Sequence, residues 1–169
     1  RIDGHEQAIR AITLRRLDRL DGREHCDIVK DLGQPVVSRV IGSFMGLAEE
    51  DDEPWATLMN ALIGAGDDEL NPDGIESLMA RDVPLIFARC QALIDARRAQ
   101  PTDDLTSVLV HAEIDGERLE DHEIVMGFVL LMAAGNDSTK ATFCSAMLAL
   151  LQNSGEREKL TGDPSLIPG

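Results

Sequence analysis

The sequence predicts a mainly α-helical protein organised around one long helix at about residues 120–151. Three observations carry that expectation. Apolar residues recur at spacings near three and four along most of the chain, the repeat of a helix with one buried face. Gly, Pro, Asp and Asn gather in short clusters between those runs, where they end helices and build turns. The pattern from Glu120 to Leu151 then runs without such a break, enough for a helix of roughly 48 Å at about 1.5 Å per residue.

Each element follows in order. "HEQAIRAITLRRLDRL" (5–20) places Ile9, Ile12, Leu14, Leu17 and Leu20 on one side of an amphipathic helix. "EHCDIV" (24–29), after the Asp-Gly turn at 21–22, reads as a short strand. "KDLGQPVVSRVIGSFMGL" (30–47) reads as a buried helix that tolerates Pro35 only near its first turn. "EPWATLMNALIGA" (53–65) is a further helix, and "GDDELNPDG" (66–74) is a loop. "IESLMARD" and "PLIFARCQALIDARRA" form a helix pair or one kinked helix, because Pro84 removes a donor and biases Val83 away from helical angles. "PTDDLTSVLVHA" (101–112) starts a short helix, and Asp-Gly inside "EIDGERL" (113–119) marks a hairpin turn. The long helix follows, then a helix from "SGEREKL" (154–160) and a linker-like "GDPSLIPG" (162–169).

Composition excludes several function classes. The 169 residues suit about one domain, and 43% hydrophobic content suffices for a core although aromatics are only 3%. A net charge of −15 argues against nucleic-acid binding, which needs clustered Lys and Arg. The acidic runs "EEDDE" (49–53) and "DDE" (67–69) read as solvated loop or helix-start charges. Cys26, Cys90 and Cys144 show no zinc-ligand spacing and read as buried free thiols of a reducing cytoplasm; the four histidines read as surface residues. "IVMGFVLLMAA" (124–134) is too short for a membrane span, which takes about 20 apolar residues. A soluble, cytoplasmic protein without membrane contact is expected.

The long helix carries an unusual centre, "LLMAAGNDSTKATF" (130–143), where small residues lead into an amide, an acid and two alcohols. At about 100° per residue, Gly127, Leu130, Ala134, Asp137, Ser138, Ala141 and Ser145 share one stripe, while Asn136 and Thr139 point elsewhere. Such a stripe lets a flat or bulky group approach the backbone, facing an acid and an alcohol. The Ser138 hydroxyl can also bond back to the Ala134 carbonyl, which can bend the helix or open a bulge. Tight helix packing, with Asp137 paired to a Lys or Arg, explains the same residues. A serine nucleophile is a poor reading, since neither a Gly-x-Ser-x-Gly elbow nor a sequence-adjacent His is present.

"AAGNDSTKAT" (133–142) resembles the oxygen-activation motif of the cytochrome P450 monooxygenases, found midway along their central helix I. "DDLTSVLVHAEIDGERLEDHEI" (103–124) is similar to the family's helix H and the approach to helix I, and "CDIVKDLGQPVVSRVIGSFMGLAEED" (26–51) to the strand and helix E region of bacterial members. "GDPSLIPG" resembles the linker before helix K, and 64–74 the F–G loop. The resemblance implies a partial cytochrome P450 fold. Residues 1–169 would be the central part of a single domain, from about helix D to just before helix K, truncated at both ends.

It also implies roles at the matched positions. Asp137 is the motif's acid, Ser138 stands where a threonine is usual, and Thr139 is the second alcohol; these three are the implied catalytic residues. Ala134, Gly135 and Ser138 would lie against the haem, and Leu130, Ala133 and Ala134 against a small hydrophobic organic substrate. The acid–alcohol pair relays protons during oxygen activation, and one atom of O2 enters the substrate. Electrons would come from NAD(P)H through a ferredoxin or another redox partner. Ser138 keeps the hydroxyl and loses the methyl that limits its rotamers; Lys140, where many bacterial members carry Arg, reads as neutral.

The family's Glu-x-x-Arg of helix K and its Phe-x-x-Gly-x-x-x-Cys-x-Gly thiolate loop are not found in these residues. No metal ligand is therefore expected here, and the haem's thiolate would come from outside the chain. The residues alone would be inactive, their face around Leu130, Leu131 and Met132 partly uncovered. The alternative is a free-standing all-helical ligand-binding or scaffold domain, in which the motif is a packing coincidence.

Overall fold

Wherever the apolar repeat runs, the chain is helical. The computed structural model describes residues 2–167. Their order is α1 (Glu6–Asp18), α2 (Gln34–Phe44), α3 (Asp52–Ile63), α4 (Gly74–Ser77), α5 (Val83–Ala99), α6 (Leu105–His111), the hairpin β1 (Glu113–Ile114) and β2 (Glu117–Arg118), α7 (Asp121–Gln152) and α8 (Ser154–Gly162). The last two residues of the linker-like run, Pro168 and Gly169, lie outside the described residues. Helix α7 is the axis on which α2, α3, α5 and α6 pack.

Helix starts are set by local chemistry. The strand expected at 24–29 does not form. Asp27 instead caps a helical turn, its Oδ1 accepting the N–H groups of Val29 at 2.9 Å and Lys30 at 3.0 Å. A capping bond supplied from within the segment decides it, because no strand lies alongside to pair with among the described residues. At α7 the Glu120 and Glu123 side chains exchange bonds with each other's backbone N–H, a reciprocal cap that fixes where the helix begins.

Pro35 and Pro84 are accommodated in the same way. Ile28–Gly33 and Leu78–Asp82 are π turns, and each is closed by an N–H that bonds five residues back: Gln34 to Val29 and Val83 to Leu78. Pro35 and Pro84 come next. A proline removes the following i−4 bond and crowds that carbonyl, and a widened turn just before it relieves both. So "IESLMARD" and "PLIFARC" belong to one helical run, from Gly74 to Ala99, through a π turn.

The core lies between α3, α5 and α7. Trp55, Met59, Ile86, Ile94, Ile124 and Phe128 are buried there together, with the Trp55 and Phe128 rings 5.1 Å apart. Two readings of burial are corrected. Cys26 is exposed, while Cys90 is buried and Cys144 half-buried. Asp52, within "EEDDE", starts α3 yet is only 6% exposed. It lies 3.0 Å from the Arg39 guanidinium of α2, beside Gly42, where a Cβ would come within 2.6 Å of the carboxylate. Burial pushes the Asp52 carboxyl up to about 6, and the Arg39 charge offsets only part of that effect.

Candidate active site on the long helix

Helix α7 has two unlike faces. Ile124, Phe128, Met132 and Asn136 turn into the body and are buried. Leu130, Ala134, Ser138, Ala141 and Ser145 turn outward, with Leu130 67% exposed. The small-residue stripe is thus a real face. Thr139 is exposed as well, and Met132, expected to be uncovered beside Leu130 and Leu131, is buried.

Ser138 donates its hydroxyl to the Ala134 carbonyl at 2.7 Å. The bond reads directly from the i−4 spacing, but α7 stays α-helical throughout and no bulge opens. Ser138, Thr139, Thr142 and Phe143 line an open hollow of about 400 Å³. Gly135 is oriented differently. A Cβ there would meet Ile41 of α2 at 2.9 Å, so its missing side chain lets α2 and α7 approach closely. Ala133 is half-buried against the core. Asp137 sits at the edge of the exposed face, its side chain 45% exposed, with Oδ1 3.3 Å from the Lys140 ammonium.

Behind that edge is a polar cluster that was not legible in the sequence. Lys140, read there as neutral, reaches across to α2 and α3 and donates to Gln34 Oε1 and Asn60 Oδ1, each at 3.1 Å. Asn60 donates in turn to Gln34 Oε1 at 3.1 Å. Gln34 Nε2 donates to Ser38 Oγ and to Asn136 Oδ1, both at 2.8 Å. Asn136, placed off the stripe by the helical wheel, is buried at 1% exposure with its Oδ1 accepting from Gln34 Nε2 and Ser38 Oγ. Only helical spacing was available to flag these groups, because their partners are distant in sequence.

The three thiols lie away from the exposed stripe. Cys90 is in the core, where burial pushes its thiol up to about 12. Cys144 lies against Gly33, at the start of α2. Cys26 precedes the first π turn. Among the described residues no group of three or more His, Cys, Asp or Glu is placed to hold a metal ion.

Fold and face together define a long helix with one exposed, small-sided and largely apolar face, an alcohol on it and an acid at its edge. No family model matches the chain. A steroid C26-monooxygenase of Mycobacterium tuberculosis is 35% identical over 176 residues, covering 100% of this chain and 42% of that protein. Among solved structures, a Mycobacterium marinum cytochrome P450 in complex with pseudoionone superposes with a TM-score of 0.87 at 29% identity, over 96% of this chain and 40% of that one. A myxobacterial cytochrome P450 in complex with myristic acid superposes with a TM-score of 0.85 at 31% identity, over 98% of this chain and 40% of that one. The chain belongs to the cytochrome P450 family. It spans less than half the length of these relatives.

Proposed function

We propose that the chain forms the distal wall of the haem pocket in a haem-thiolate monooxygenase, an oxidoreductase that inserts one oxygen atom of O2 into an apolar organic substrate. The observation that carries this reading is the exposed face of α7, where Leu130, Ala134 and Ser138 stand one turn apart with Asp137 at the edge. Small side chains and an apolar surface suit a flat macrocycle. The thiols do not suit its iron, since none shares that face, so the thiolate ligand comes from elsewhere in the protein. The haem supplies the oxygen chemistry when bound.

The chain's own residues then have distinct tasks. Ala134 and Ser138 lie against the macrocycle, with Gly135 keeping α7 close to α2. Leu130, Ala133 and Ala134 touch the substrate and exclude water from it. Asp137 takes up and hands on a proton at its carboxyl, and the Ser138 hydroxyl, turned away from the Ala134 carbonyl, passes it toward the exposed face. Thr139 gives the adjoining hollow a second hydroxyl. Such positioned acids typically contribute about 10²–10⁴-fold. The substrate class is lipid-like, consistent with the steroid monooxygenase and with the myristic acid complex among the relatives. Electrons arrive from NAD(P)H through a ferredoxin or comparable partner. No described helix is long and apolar enough to cross a membrane.

The 169 residues by themselves are expected to be inactive. Mixed with haemin, reduced and exposed to carbon monoxide, they should not give the thiolate-type Soret band, because the thiolate is what shapes that spectrum. Appearance of the band would contradict the assignment of the ligand to another part of the protein.

A further inference from the structure

We propose that Lys140 is a positioning residue for the acid at Asp137, an ammonium locked by Gln34 and Asn60 that fixes where the carboxylate sits on α7. The inference rests on Asp137 acting in proton delivery, as proposed above, and adds the group that holds it.

The argument begins with donor counting. An ammonium has three N–H donors and no acceptor. At Lys140 two of these go to Gln34 Oε1 and Asn60 Oδ1, each at 3.1 Å, on α2 and α3, and the Asp137 carboxylate of α7 lies 3.3 Å away as the ion-pair partner. The side chain is 12% exposed, so solvent has little room to replace any of them. The lysine also sets the direction of the whole cluster. Because it can only donate, Gln34 and Asn60 must present oxygens to it. The Gln34 amide nitrogen is thereby turned toward Ser38 and Asn136, and Asn136 must present its oxygen in reply. The Gln34, Asn60 and Asn136 amides behind Asp137 are thus oriented from one cation.

The contrast with an ordinary surface pair is direct. Lys159 and Glu156 have the same i,i+3 spacing at 2.7 Å, but the side chains are 65% and 64% exposed. Such a pair contributes little and moves freely. The Asp137 partner is anchored from two other helices instead. An acid that must deliver a proton along one line benefits from that anchoring, since misplacing a reacting group by about 1 Å can cost roughly 10²-fold.

The test uses the haem-loaded protein in two arms. In the first, 15N-resolved NMR follows hydrogen exchange at the lysine ammonium groups. The Lys140 signal should persist while that of Lys159 is lost to exchange, and Asn60→Ala should speed exchange at Lys140. Equal, fast exchange at both lysines in the unaltered protein would overturn the proposal. In the second arm, dioxygen consumption by the reduced protein is compared for Asp137→Asn, Lys140→Met, Lys140→Arg and the double variant Asp137→Asn/Lys140→Met. Lys140→Met should slow it about tenfold with haem content unchanged, Lys140→Arg should restore part of the loss, and the double variant should match Asp137→Asn alone. If Asp137→Asn slows consumption and Lys140→Met does not, the positioning role is refuted while the relay stands. Silence of both variants would remove the relay and the positioning role with it.

Discussion

Ser138 donates to the carbonyl one turn back, so its proton points along the helix at rest and must turn outward to act. A threonine methyl leaves the hydroxyl fewer rotamers, so once turned outward it is less often misdirected. Ser138→Thr is therefore expected to keep or raise the product formed per NAD(P)H consumed, and Ser138→Ala to lower it, as measured by product and cofactor assays in parallel. Asp52 makes a separate claim at the same scale. Its carboxyl is raised from 3.8 to about 6 in the folded chain, so folding favours the protonated form. The stabilisation is fully present below about pH 4 and is lost as pH rises through about 6. Urea midpoints between pH 4 and 7 should carry this downward slope, and Asp52→Asn should flatten it; an unchanged slope in the variant would place the titration elsewhere. The Ser138 bond could be read from sequence because its acceptor is four residues away. The partners of Asp52 and Lys140 could not, since Arg39 lies on another helix and Gln34 is 106 positions from Lys140. Charge alone made "EEDDE" look solvated, although Gly42 leaves room for one carboxylate beneath it.

Among the elements, long periodic helices were legible and short irregular segments were not. The apolar repeat placed α7 within a residue or so of its observed ends, because a helix that size is specified by many side chains at once. The strand expected at 24–29 failed because Asp27 could satisfy local N–H groups where no pairing strand exists. Asp-Gly did specify its hairpin, with Asp115 and Gly116 both at positive φ. The turn after α2 offers a test of how tightly elements are joined. Gly46 has φ +75°, and a Cβ there would fall 2.1 Å from Asp104 Oδ2, next to the Arg97 guanidinium. Arg97 donates to Asp104 at 2.7 Å and to the Gly46 carbonyl at 2.8 Å, tying α5 and the α6 cap to that turn. Gly22 has φ +74° with open space around it. Gly22→Ala should cost only the left-handed penalty, about 1–2 kcal/mol. Gly46→Ala should lower the thermal midpoint further, because the ion pair must also move. Equal losses at the two sites would show that the junction yields without cost. Within the core, Phe128→Ala should cost about 3–5 kcal/mol in chemical denaturation, since the ring packs on Trp55 and its removal leaves a cavity.

Across the whole molecule, α7 divides one chain into two solvents. One face closes the core with Trp55, Ile124 and Phe128, and the other presents Leu130, Ala134 and Ser138 outward. Between them, the Lys140 cluster binds α2 and α3 to the acid at the edge. The central claim is that this edge delivers protons for oxygen activation. Its most direct test is the hydrogen peroxide released per NAD(P)H oxidised by the haem-loaded protein with its redox partner, with myristic acid as the probe substrate. The account predicts a higher peroxide fraction in Ser138→Ala than in the unaltered protein, and slower NAD(P)H oxidation in Asp137→Asn at unchanged haem content. Identical peroxide fractions and oxidation rates in all three proteins would contradict it.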